Sequence, residues 1–128
     1  MQDGKHVILC IDDDPDILVA LRVVLESAGY RFVGAATATE GMEAYRSRRP
    51  DLIIVDLMME QIDAGIHMVE ELQASGNTAP VYILSSTGDY LHGAADLSGL
   101  GVTGVLQKPL DPGVLLSIIQ RKLGQPAK

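Results

Sequence analysis

Apolar residues cluster in short unbroken runs, Val7–Ile11, Leu52–Val55 and Val81–Leu84, each bounded by polar or turn-forming residues. Runs of this length predict strands buried on both faces of a parallel sheet. Between them the spacing changes. Ile17, Leu18, Leu21, Val24, Leu25 and Ala28 recur at helical intervals, opened by Asp14-Pro15 and closed by Gly29; that is an N-cap, a proline at the first helical position and a C-terminal glycine. A short strand is expected over residues 31–36. Thr37 and Glu40 form a capping box for a second helix running to about Ser47. After Pro50 and the strand ending in Asp56, residues 63–76 predict a third helix with Ile66, Val69 and Leu72 inward. Pro80 opens the strand Val81–Ser85.

Between Ser85 and Lys108 the pattern weakens. Gly88, Gly93, Gly99, Gly101 and Gly104 interrupt it, and each glycine costs a helix about 1 kcal/mol relative to alanine. A short helix is expected near residues 90–97. A fifth strand starts at Val102 or Gly104 and ends at Gln107. Asp111-Pro112 repeats the cap-plus-proline signal and starts a last helix to about Leu123, leaving residues 124–128 as a frayed tail. Strands alternating with helices over short connections predict an α/β fold: a doubly wound, five-stranded parallel sheet with helices on both faces.

Bulk properties narrow the function. A chain of 128 residues supports one domain, with its core at about residues 5–123. Apolar residues make up 47%, with no Trp and one Phe, so the core is aliphatic. A net charge of −7 disfavours direct nucleic-acid binding, which needs a basic face. No apolar stretch is long enough to span a membrane, and residues 1–5 lack the apolar segment of a signal peptide. Cys10 has no partner for an internal disulfide and reads as a small core residue in a reducing cytoplasm.

The chemistry gathers where strands end. In a parallel sheet, ligands bind outside the carboxyl ends of the strands. The first strand runs into Asp12 and Asp13, the third ends in Asp56, the fourth in Ser85, and the fifth is followed by Lys108. Converging carboxylates repel unless a cation sits among them, and oxygen ligands suit Mg²⁺ or Mn²⁺. No His or Cys spacing suggests zinc. A lysine and a hydroxyl opposite the carboxylates complete what a phosphoryl group requires. Asp14 is assigned to capping. His6, His67 and His92 have no partners at telling spacing. Arg46, Arg48 and Arg49 complement the dipole of the second helix, and no anion site is expected of them.

Four motifs in order, Ile11-Asp12-Asp13-Asp14-Pro15, residues 51–59 around Asp56, Pro80 to Ser86, and Gln107-Lys108-Pro109, resemble the receiver domain of two-component response regulators. The resemblance covers about residues 5–123. It implies a chemotaxis-regulator-like fold with strand order 2-1-3-4-5. It also implies a signalling switch rather than an enzyme, in which Asp56 accepts a phosphoryl group from a sensor histidine kinase or phosphotransfer protein. Asp13, Asp56 and the Met58 carbonyl would ligate Mg²⁺, with Asp12 acting through water. Ser85 would be the switch hydroxyl and Lys108 the phosphoryl-binding lysine. The signal would pass to a downstream protein or a fused output domain.

The chain departs from the usual pattern at Glu60, Ala64 and Val105, and the stretch from Ser85 to Lys108 is about one residue long. Val105 offers no aromatic ring to rotate, so output is expected through residues 88–104 and the apolar band Val114, Leu115, Leu116, Ile118 and Ile119. Two alternatives stand beside this reading. One is a small Mg²⁺-dependent phosphohydrolase of the haloacid dehalogenase type, using Asp12 and Asp14. The other is a receiver-like module that binds partners without phosphorylation.

Overall fold

A computed structural model describes residues 5–56, 64–85, 102–108 and 111–123, with the side chains of 64–66 excepted. Five parallel strands, β1 (Val7–Ile11), β2 (Arg31–Ala35), β3 (Leu52–Asp56), β4 (Val81–Ser85) and β5 (Gly104–Gln107), form one sheet in the order β2-β1-β3-β4-β5. The described helices are α1 (Pro15–Ser27), α2 (Ala38–Arg48), α3 (Ala64–Ala74) and α4 (Pro112–Leu123). The short helix expected near residues 90–97 lies outside the described residues, as does the tail.

The apolar runs make sense as a period of two with both phases buried. Leu9, Ile11, Ile53, Val55, Val81 and Ile83 pack on Met42 of α2 and Met68, Val69 and Leu72 of α3. The intervening residues Ile8, Cys10, Leu52, Ile54, Tyr82 and Leu84 pack on Leu21 and Leu25 of α1 and Leu115 and Ile119 of α4. Each strand therefore faces two cores, and no polar residue is tolerated until the strand ends. Full burial of each such side chain contributes about 1.5–3 kcal/mol. Val114, in the apolar band of α4, is 54% exposed.

The cap signals hold in detail. The Asp14 side chain accepts from Asp16 N–H at 2.9 Å, and the Asp111 side chain accepts from Gly113 and Val114 N–H at 2.8 and 3.2 Å. Thr37 Oγ1 accepts from Glu40 N–H at 3.1 Å. The return bond differs from the expected box: Glu40 accepts from Ala36 N–H at 3.0 Å, one residue upstream of the cap. That bond fixes the β2–α2 turn, and β2 ends at Ala35 where Asp12 N–H donates to its carbonyl at 3.0 Å.

Gly41 sets the closeness of α2 to the sheet. A Cβ there would lie 2.8 Å from Ile11 Cγ1 and 2.8 Å from Met68 Cε. The methionine end can swing away, whereas Ile11 is fixed in a buried strand. Gly41→Ala should therefore destabilise by about 1–2 kcal/mol in a urea titration, although alanine is the better helix former. A rise in the urea midpoint would show that α2 moves outward without cost.

Candidate functional site

The strand order reverses between β1 and β3, where connections leave in opposite directions and open a crevice at the carboxyl edge. Ile11 is paired with Val55, so the next residue of each strand, Asp12 and Asp56, arrives side by side. Asp56 pairs with Leu84 and Ser85 with Gln107, which places Ser85 and then Lys108 along the same edge. Lys108 N–H donates to the Ser85 carbonyl at 2.9 Å and extends the β4–β5 ladder by one bond.

One carboxylate oxygen from each of Asp12, Asp13 and Asp56 lies within 4.8 Å of the others. Asp12 and Asp56 are buried and Asp13 is exposed. Lys108 reaches back over the edge, its Nζ 3.3 Å from Asp12 Oδ2 and 3.2 Å from Asp56 Oδ1. Asp12 Oδ1 accepts from Asp14 N–H at 2.9 Å. Asp12 Oδ2 is buried and, despite the nearby ammonium, has no partner in hydrogen-bonding geometry. Three negative groups against one positive leave an excess of negative charge around an acceptor oxygen with spare capacity. This all-oxygen donor set, with one solvent-facing member, fits a hard divalent cation that retains some of its waters.

Burial acts against the charge on Lys108, but the carboxylates of Asp56 and then Asp12 outweigh it and raise the ammonium pKa above its ordinary 10.5. A raised folded-state pKa contributes stability that is complete below the unfolded value and is lost as pH rises through the folded one. Burial likewise raises Tyr30 and Tyr82, so alkaline destabilisation has several sources. Comparison with Lys108→Met isolates one of them. The difference in unfolding free energy between the two proteins should be constant through neutral pH and change only above about pH 10. A difference that drifts between pH 6 and 9 would assign the titration to another group.

Cys10 lies one turn of the pleat below Asp12, fully buried. Burial first, and the Asp12 charge second, push its thiol far above the ordinary range, which makes it an inert core residue. Of the residues singled out in the sequence, Asp12, Asp13, Asp56, Ser85 and Lys108 meet at one edge. Met58 and the segment 86–101 lie outside the described residues. Two contacts were not legible in the sequence. Asp14, read as a cap, also uses its backbone N–H to orient Asp12. His6 places Nδ1 3.9 Å from Asp51 Oδ2. Asp51 in turn holds β3 to β1, with its Oδ2 accepting from Val7 N–H at 2.7 Å and its N–H donating to the Val7 carbonyl at 2.7 Å. The His6–Asp51 contact depends on strand register, which no local pattern encodes.

This geometry agrees with comparison to known proteins. Residues 8–120 match the response regulator receiver domain, and the chain belongs to that family. It is 35% identical over 120 residues to the transcriptional regulatory protein GlrR of Escherichia coli, a match covering 94% of this chain and 27% of that one. It is 36% identical over 117 residues to the transcriptional regulatory protein PrrA of Mycobacterium tuberculosis, covering 89% and 47% respectively. The chain thus spans between about a quarter and a half of these relatives. Among solved structures, a response regulator receiver protein from Pseudomonas putida superposes with a TM-score of 0.83 at 30% identity, covering 91% of this chain and 97% of that one. The Vibrio cholerae chemotaxis protein CheY4 gives 0.83 at 28% identity, covering 92% and 98%. The expected family and strand order are both met. Among the described residues no helix is long and apolar enough to cross a membrane.

Proposed function

We propose that this receiver domain is a phosphorylation-dependent switch whose acceptor is Asp56. The observation that carries the reading is the convergence of Asp12, Asp13 and Asp56 under the Lys108 ammonium at the carboxyl edge of the sheet. A carboxylate oxygen of Asp56 attacks phosphorus and the bond from phosphorus to the donor breaks. With a phosphohistidine donor that bond is P–N, and the imidazole leaves with its electron pair and takes up a proton. Lys108 stands beside Asp56 to neutralise charge on a phosphoryl oxygen, and the Ser85 hydroxyl is available to a second. Asp13, Asp56, the Met58 carbonyl and, through water, Asp12 would hold Mg²⁺ or Mn²⁺. The cation would offset the remaining negative charge of the approaching phosphoryl group.

The donor on this reading is a sensor histidine kinase or a phosphotransfer protein, and the site is cytoplasmic. The phosphorylated form then alters affinity for a downstream protein or a fused output domain. Intact-mass measurement after treatment with acetyl phosphate and Mg²⁺ tests the chemistry. One added phosphoryl group is expected, and none when the cation is chelated. No gain in mass under either condition overturns the proposal in favour of a receiver that binds without phosphorylation. Sustained hydrolysis of p-nitrophenyl phosphate would favour the phosphohydrolase instead.

A further inference from the structure

At the opposite, amino edge of the sheet, a cavity of about 630 Å³ lies between the end of α2 and the loop from α3 to β4. Its size is that of a small-molecule site. One wall carries Arg46 and Arg49, the other Ser75 and Thr78, and Tyr45 with Pro50 and Pro80 supplies apolar surface. Among the described residues neither guanidinium has an ion-pair or hydrogen-bond partner for its side chain, in a protein whose net charge is −7.

The backbone holds one of these arginines in place at a cost. Arg49 follows the last residue of α2 with φ 47°, ψ 69°, the one non-glycine residue of positive φ among those described. A side chain in that region is uncommon and disfavoured relative to glycine. Glycine or asparagine would end the helix more readily, so the cap itself gives no reason for arginine here.

The cavity lining holds one acidic residue, Asp51, against the two arginines, and the neighbouring acceptors already have donors. Asp51 directs Oδ2 to Val7 N–H. At the end of α3, Ser75 N–H and its hydroxyl bond the Glu71 carbonyl, Asn77 N–H bonds the Leu72 carbonyl and Gly76 N–H bonds the Gln73 carbonyl. Arg49 N–H takes the Tyr45 carbonyl at the end of α2. The Asn77 amide is spent on Ala79 in both directions. The sheet topology adds further positive charge at the same edge: Lys5 precedes β1, Arg31 opens β2, and Arg121 and Lys122 lie in the last turn of α4.

We infer that this cavity is an anion site for a phosphate group, free or carried as a phosphomonoester on a small molecule, held by Arg46 and Arg49. Planar guanidiniums match phosphate oxygens two at a time, and the Thr78 hydroxyl can donate from the facing wall. The site is separate from the carboxylate cluster. It meets β3 and β4 at the ends opposite Asp56 and Ser85, roughly 16 Å away along five residues of strand.

The test is an amide chemical-shift titration of the full chain without Mg²⁺ or phosphodonor, using inorganic phosphate and adenosine monophosphate as probes. Saturable shifts are expected at Arg49, Asp51 and Ser75 to Ala79. In the double variant Arg46→Gln, Arg49→Asn affinity should fall about tenfold or more. Asparagine is chosen because it accepts the left-handed backbone, and Arg22→Gln on α1 should bind as the unsubstituted protein does. Tighter binding of the nucleotide assigns an esterified ligand; equal or tighter binding of inorganic phosphate assigns the free ion. Several results would overturn the inference: no saturable shift, the same shift with chloride at equal ionic strength, undiminished binding by the double variant, or shifts centred on Asp12, Asp56 and Lys108. Because no phosphoryl transfer is involved, these outcomes leave the proposed role of Asp56 untouched.

Discussion

Asp56→Asn is expected to gain no phosphoryl group from acetyl phosphate under conditions in which the unsubstituted protein gains one. The amide keeps the volume of a residue buried at the end of β3 and can still accept from Lys108, so the fold and the lysine position are retained. What it loses is the anionic oxygen that must bond phosphorus. Neither neighbour is a ready substitute. Asp12 has Oδ1 tied to Asp14 N–H and Oδ2 beneath Lys108, and Asp13 lies on the exposed side of the cluster. Removing the proposed nucleophile should lower the initial labelling rate by about a thousandfold or more. Mass spectrometry of the intact protein and its peptides reads both the amount and the position. Equal labelling of the variant would assign the acceptor to another residue, with Asp13 the first to examine. The substitution also removes one of three repelling charges, so the variant should unfold no sooner than the parent without added cation.

Asp56 could be placed at a strand end from the sequence because each central strand has two buried faces. Val55 and Ile54 pack into different cores, so a carboxylate is admissible only where the strand emerges. An aspartate after four apolar residues therefore marks a strand end as well as a charge. The helices were legible for another reason, since Asp14-Pro15 and Asp111-Pro112 satisfy orphan N–H groups through local contacts alone. Long-range features left no such trace. The bond between Asp51 and Val7 joins residues far apart in sequence and needs the β1–β3 register to be known. Arg49 gives no signal that it, and not a glycine, adopts the left-handed conformation after α2. The cavity beside it is formed by two loops whose proximity follows from the α2–α3 packing on Met42, Met68 and Leu72. The expectation that output passes through residues 88–104 falls largely on residues outside those described.

Millimolar Mg²⁺ should raise the melting temperature of the protein by roughly 10 °C, the largest effect expected from any addition that leaves the chain unchanged. The carboxylate oxygens of Asp12, Asp13 and Asp56 lie within 4.8 Å of one another with one ammonium beside them, and like charges this close destabilise the folded state. A cation bound by the native state alone stabilises it by about 2.7 kcal/mol at a hundredfold excess over its Kd. A chain of this length gains a few degrees per kcal/mol, which gives the size of the shift. Asp13→Ala separates metal binding from a general effect of salt. Asp13 is the exposed member, so its removal disturbs packing least, yet it eliminates one proposed ligand and one repelling charge together. The variant should melt at or above the temperature of the parent without Mg²⁺ and respond little when the cation is added. Lys108→Met should do the reverse, because loss of the ammonium leaves two buried carboxylates without their counter-charge. That variant should melt lower than the parent without cation and recover more on its addition. Calorimetry with Mg²⁺ and with matched sodium chloride checks all three. If the parent is indifferent to Mg²⁺, or if sodium at equal ionic strength stabilises it equally, the cluster is an electrostatic strain relieved by Lys108 and screening, and no cation belongs there.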